Sequence, residues 1–145
     1  MRTLTVAAVL VAAVQAASPA GCTPLPRACT LSFQGIYVHA GEVWDVVTVA
    51  CDPRPVELYT QTWLEYKPFD EYGSYGPHVA TRKIPDSAGL QLKVRSKCYR
   101  GWYRAKVQVE GRGPATEADP AGIPFEDEHT GWPKYITAEQ CAGGD

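Results

Sequence analysis

Residues 103–110 alternate without a break: Tyr103, Ala105, Val107 and Val109 are apolar or aromatic, and Arg104, Lys106, Gln108 and Glu110 stand between them. Successive side chains of a strand point to opposite faces, so this segment predicts a strand with one face in a core and the other in water. Residues 90–95 repeat the pattern, with Leu90, Leu92 and Val94 against Gln91, Lys93 and Arg95. One dry face and one wet face predict an antiparallel sheet packed on one side. Further strands are predicted over 30–39, where Leu31 and Phe33 alternate with Ser32 and Gln34, and over 43–51, dense in β-branched residues. Two more are predicted over 56–66, rich in Tyr, Thr and Trp, and over 78–84. Turn chemistry separates them at Ala40-Gly41, at Asp52-Pro53-Arg54-Pro55 and at Pro85-Asp86, and a Gly/Tyr loop is predicted over 67–77. A looser connection over 111–122 precedes 123–126 and 132–137, read as two arms of a last hairpin, and a tail over 142–145. No segment carries a sustained helical period. The pattern as a whole predicts an all-β domain, a single antiparallel β-sandwich over 29–141.

The N-terminus changes the compartment. Arg2 is followed by an apolar run over 4–14 broken only by Thr5, and small residues at Val14 and Ala16 frame a cleavage site after Ala16, or after Ala17 one residue later. This is the pattern of a secretory signal peptide over 1–16, too short for a membrane anchor. A Pro-rich lead over 17–28 comes next. Ala20-Gly21-Cys22 resembles the end of a lipobox, although Pro19 stands where that motif wants Leu or Val; lipidation of Cys22 is the one route to a membrane. The expected product is secreted and extracellular, where disulfides are the default for Cys29, Cys51, Cys98 and Cys141. Cys22 is the odd one out and a contact for a dimer.

Composition excludes more than it assigns. With 14 basic and 16 acidic residues the formal charge is −2, so no global field points to nucleic acid or membrane. The charge is nonetheless uneven: residues 82–106 hold eight basic side chains and one acid, and residues 110–145 hold eight acids and two bases. A basic sheet face would suit a polyanion, unless the acidic C-terminal segment folds over it. No cofactor or metal is expected, because there is no Cys-x-x-Cys and His39, His78 and His129 are far apart. Glu126-Asp127-Glu128 lacks the spacing of a calcium loop. Asp70-Glu71 and the acidic run are adjacent acids and not a pair opposed across a cleft. The string around Ser74 has glycines at the wrong spacing for a nucleophile elbow. The chain is therefore not expected to be an enzyme.

Two sets of aromatics are binding candidates. Trp102 is out of phase with Tyr103 and should point away from the core; Phe69, Tyr72 and Tyr75 lie in the glycine-flanked loop. Exposed rings beside polar groups suit a glycan or a protein ligand. The reading is a non-catalytic binding module, with a small secreted inhibitor or toxin-like effector acting through the 67–77 loop as the alternative.

Cys51, then Trp63, then Gly101-x-Tyr103-x-Ala105 resemble, in this order, the immunoglobulin-like sandwich, which places a Cys on strand B, a Trp on strand C and Gly-x-Tyr-x-Cys at the start of strand F. The resemblance implies a core Trp63, a corner tyrosine at Tyr103 and a disulfide-stabilised immunoglobulin-like fold. Ala105 occupies the place of the second cysteine, so the implied Cys51–Cys98 bridge would pin the corner before strand F rather than cross the core. For the second bridge the residues admit Cys29–Cys141, tying the first strand to the C-terminal segment, or a local Cys22–Cys29 clip. The layout also resembles small secreted proteins of high-GC Gram-positive bacteria of unknown function. The segments that carry it are Cys98-Tyr99-Arg100-Gly101-Trp102-Tyr103-Arg104-Ala105, Gly122-Ile123-Pro124-Phe125 and Ile136-Thr137-Ala138-Glu139-Gln140-Cys141. That likeness implies export and disulfides and no activity.

Overall fold

The structure, a computed structural model, describes residues 29–143; the signal segment, the lead with Cys22 and the last two residues lie outside them. The elements run β1 Cys29–Phe33, β2 Tyr37–His39, β3 Glu42–Cys51, β4 Glu57–Lys67, β5 Gly73–Thr81, β6 Leu90–Lys97, β7 Gly101–Arg112, β8 Pro124–Thr130, β9 Lys134–Ile136 and α1 Ala138–Ala142. They form two antiparallel sheets. In the smaller, β3 has β6 on one side and β1 and β2 end to end on the other. In the larger, the order is β5-β4-β7, and β8 and β9 lie end to end along the far side of β7. The two arms expected to pair as a last hairpin thus pair with β7 and not with each other. The long β7 offers twelve residues of ladder, enough for both.

The core lies between the sheets and follows strand parity. Val43, Val47 and Val49 of β3 and Val94 of β6 face Leu58 and Leu64 of β4, Tyr103, Ala105, Val107 and Val109 of β7, and Ile136 of β9, all buried. On one flank the sheets close where Gly76 meets β6: a Cβ on Gly76 would sit 2.6 Å from Ser96 Oγ, and its φ of +80° suits only glycine. The same Gly76-Pro77 step makes a bulge in β5. Thr62 pairs with Val79 and Leu64 with Tyr75, so Trp63 alone stands opposite three residues.

Three expectations are corrected here. The segment 30–39 is not one strand. It breaks at Gln34–Ile36, and the break is held from inside by Asp45, whose Oδ1 accepts the N–H of Gly35 at 2.9 Å and of Val46 at 2.7 Å. The 67–77 loop shrinks to residues 68–72, because β5 begins at Gly73. The disulfides are Cys29–Cys51 and Cys98–Cys141, not Cys51–Cys98 with Cys29–Cys141 or Cys22–Cys29. Cys29 and Cys51 are direct cross-strand partners of β1 and β3, which places their side chains together on one face. Cys98 lies at the corner between β6 and β7 and reaches α1, a helix capped by a Thr137–Gln140 capping box. The two disulfides are consistent with an extracellular protein, and no described helix is long and apolar enough to cross a membrane.

Asp45 is a buried acid at a position of core parity. Burial pushes its pKa above the ordinary value, and the N–H donors of Gly35, Val46 and Gln34 hold it down in part. A carboxyl whose folded pKa exceeds its unfolded one binds its proton more tightly in the folded state, so its charge costs stability as pH rises through that window. Asp45→Asn is expected to keep an acceptor for the two N–H groups and to remove this fall. Asp45→Ala should lose about 2 kcal/mol by leaving those donors unpaired. Urea midpoints of the three proteins between pH 4 and 7 test both statements. A wild-type curve parallel to that of the Asn variant would refute the first, and an Ala variant as stable as the Asn variant the second.

Candidate functional site

The outer face of the larger sheet is built of cross-strand rows. From one end the register gives Lys67–Trp102–Tyr135, Ser74–Glu65–Arg104, Trp63–Lys106, Gln61–Gln108–Glu128 and Tyr59–Glu110–Glu126. Ten steps separate Lys67 from Glu57, so the face is roughly 33 Å long. Its ordering begins with the β5 bulge. The extra residues swing His78 against Trp63, with ring centroids 4.7 Å apart and planes within 2°. Lys106 covers the indole at 5.7 Å and reaches Glu128 at 2.7 Å and Glu65 at 3.9 Å. Arg104 donates to Glu65 at 2.6 Å and lies 4.0 Å from the centroid of Tyr72. Trp102 meets Tyr135 edge to face at 5.4 Å, and both rings are about two-fifths exposed (41% and 42%).

Trp102 faces outward on this surface. Trp63, expected in the core, is on the same outer face. The inward positions of β4 are Leu58, Thr60, Thr62 and Leu64, and the volume a core Trp would fill is supplied by Tyr103 and its neighbours. Tyr103 is fully buried, and its hydroxyl holds the Tyr99 backbone. Tyr72 is spent under Arg104. Tyr75 is a correction: it turns inward, packs on Tyr66 and Tyr103, and its hydroxyl donates to the Lys97 carbonyl at 3.1 Å. Burial raises its pKa. Of the three candidate rings only Phe69 projects, 86% exposed.

Sequence reasoning missed Gln61, which lay unremarked in the strand predicted over 56–66, Ser74, read as a loop residue, and His78, read as an ordinary surface or loop residue, and it missed Tyr135 and Trp132. Trp132 is 92% exposed, the most exposed large hydrophobic side chain described. It stands at the lip of a cleft of about 450 Å³ with Ile36, Tyr37 and Lys134, where the breaks between β1 and β2 and between β8 and β9 face each other. The Lys134 ammonium ties the two edges by donating to the Ile36 carbonyl at 3.0 Å. The signal that could have found the outer face was parity. Once Leu64 is inward, Gln61, Trp63 and Glu65 share a surface with Arg104 and Lys106.

A larger groove of about 790 Å³ opens at the far end of the larger sheet, lined by residues of both its faces: Tyr59, Arg82 and the carboxylates of Glu57, Glu110 and Glu126 from the outer side, and Leu58, Ile84 and Phe125 from the core side. Arg82 lies 5.3 Å from the Tyr59 centroid. The face therefore carries rings at one end, a charged groove at the other and amide and carboxylate groups between.

Ser74 Oγ lies 2.7 Å from His78 Nε2, and His78 Nδ1 lies 2.7 Å from Gln61 Nε2. The hydroxyl, the imidazole and the amide form one hydrogen-bonded chain, in which the donor at each ring nitrogen follows the tautomer. What the three side chains do is fix the imidazole flat against Trp63.

No protein-family model, curated protein or solved structure matches the chain.

Proposed function

We propose that this chain is a secreted, non-catalytic binding module of immunoglobulin-like build that holds an extended extracellular glycan along the outer face of its larger sheet. The observation that carries the reading is the pair of half-open rings Trp102 and Tyr135, set at one end of a face with a groove at its other end. Sugars present apolar C–H faces to aromatic rings and hydroxyls to amides and carboxylates, and here Gln61, Gln108 and Glu128 supply the latter. A surface roughly 33 Å long suits a chain better than a small molecule. For the immunoglobulin-like assignment the support is strand order. With β3 as strand B, the sheets read A-B-E and C′-C-F-G, and Tyr103 sits at the E–F corner. For secretion it is the apolar N-terminal segment and the two disulfides.

An inhibitor acting through the β4–β5 loop has one observation in its favour, the solvent-exposed Phe69 ring. A single panel separates the two. Co-sedimentation with insoluble cell-wall polysaccharide is expected to fall about tenfold or more for Trp102→Ala and to stay unchanged for Phe69→Ala. Retention that Trp102→Ala leaves intact would sink the glycan reading. Stoichiometric inhibition of a protease lost in Phe69→Ala would put the loop in its place.

A further inference from the structure

The run of eight basic residues over 82–106 does not share one surface. Its two strand halves are divided between the sheets. Arg104 and Lys106 of β7 are neutralised by Glu65 and by Glu128 of the acidic β8. Lys93, Arg95 and Lys97 of β6 lie on the outer face of the smaller sheet, which no acidic strand adjoins. Glu42 is the one carboxylate among the described residues of that face, 3.2 Å from Arg95. From this division we propose a second binding surface: the β6 stripe, with Thr48 of β3 diagonal to its Lys93 end and Ser32 and Thr30 of β1 farther across the sheet, takes a linear phosphodiester polymer.

Three features of the stripe specify the occupant. Alternate strand residues put Lys93, Arg95 and Lys97 in line at intervals of about 6.7 Å. A phosphodiester carried on a three-carbon alcohol repeats its single charge at a similar interval, so each phosphate meets one cation. Arg95 is pre-set. Its guanidinium lies 5.1 Å from the Trp44 centroid, and Trp44 is itself stacked on Tyr37 in the same cross-strand row; Nη1 donates to Glu42, and the side chain is otherwise open to solvent, 58% exposed, for a phosphate. The Trp44 Nε1–H at the foot of the row is buried with no acceptor among the described residues, an unmet donor beside the stripe. Lys97 lies 5.4 Å from the Tyr99 ring centroid, a contact that leaves its ammonium at the surface, and Lys93 is exposed. The surface is on the opposite sheet from the glycan face and does not depend on it.

Fluorescence anisotropy with a labelled glycerol phosphate oligomer tests the proposal on the exported protein. Binding is expected to weaken with salt at a slope of about 2 in log Kd against log salt, as three phosphate contacts on a single strand require. Lys93→Ala/Lys97→Ala should raise Kd on the order of tenfold and reduce that slope to about 0.7. Glu42→Gln should tighten binding, while Trp102→Ala should not change it. Lys67→Ala/Lys83→Ala, which removes equal charge elsewhere, should have little effect. Melting curves of each variant report folding. No binding at low salt would overturn the proposal, as would equal losses in the two double-lysine variants. Tighter binding of heparin, lost through the same two β6 lysines, would assign the stripe to sulfated glycans and overturn the phosphodiester assignment.

Discussion

Reduction of both disulfides is expected to unfold this protein near physiological temperature. Cys29–Cys51 spans 22 residues and Cys98–Cys141 spans 43. Chain-entropy arguments assign them about 3 and about 4 kcal/mol. Together that rivals the whole net stability of a small domain, about 5–15 kcal/mol. The bonds act at different places. The first staples β1 to β3 at one end of the smaller sheet; the second fastens α1 to the corner between β6 and β7. Cys98→Ser/Cys141→Ser should therefore cost more than Cys29→Ser/Cys51→Ser. Cys51→Ser/Cys98→Ser should cost most, since it breaks both bonds and leaves Cys29 and Cys141 to pair wrongly. Thermal melts of the three double variants, with and without reductant, give the order. Because the four described cysteines bond to each other, none of them is left to pair with Cys22. A Cys51–Cys98 peptide in a non-reducing digest would refute this account.

Why the pairing was illegible is a matter of register. A strand over 30–39 was read from its apolar alternation and one over 43–51 from its β-branched residues, but nothing local states that Cys29 falls opposite Cys51. That follows only from the turn at Ala40-Gly41 and from the break at 34–36, and the break is set by Asp45, ten residues from Gly35 in sequence. The same holds for Trp63. The pattern of β4, Leu-Tyr-Thr-Gln-Thr-Trp-Leu, is ambiguous in parity because threonine sits on either face of a strand. The choice was made by Leu58 and Leu64, which fit between β3 and β7. Where parity was unambiguous, in β6 and β7, the division into wet and dry faces was plain from the residues alone, and with it the outward Trp102. The His78–Trp63 stack needed the Gly76-Pro77 bulge, a geometry that a glycine beside a proline marks as a turn but does not aim.

Tyr103 is the residue whose loss should be felt most among the side chains. Its ring is fully buried and packs between Tyr66 at 4.8 Å and Tyr75 at 6.2 Å. Its hydroxyl both accepts the Tyr99 N–H and donates to the Tyr99 carbonyl, each at 2.9 Å. The two neighbours do the same work on either side: Tyr75 donates to the Lys97 carbonyl and Tyr66 to that of Arg100. Three phenols thus hold the backbone of the 97–100 corner, and Gly101 lets the Tyr66 ring pass, since a Cβ there would lie 2.5 Å from it. Tyr103→Phe keeps the packing and should lose about 2 kcal/mol with the two hydrogen bonds. Tyr103→Ala should lose about 4 kcal/mol through the cavity. Burial, opposed in part by the Tyr99 backbone, pushes the Tyr103 pKa from 10.0 to about 12. The folded state then binds the phenolic proton more tightly than the unfolded chain, so stability should fall as pH rises from about 10 to about 12. Tyr75, also raised by burial, adds to that fall, and Tyr103→Phe should lessen the slope without abolishing it. Denaturant midpoints of wild type and Tyr103→Phe between pH 8 and 11 decide the matter. Parallel curves would mean that the hydroxyl is not the clamp its position makes it.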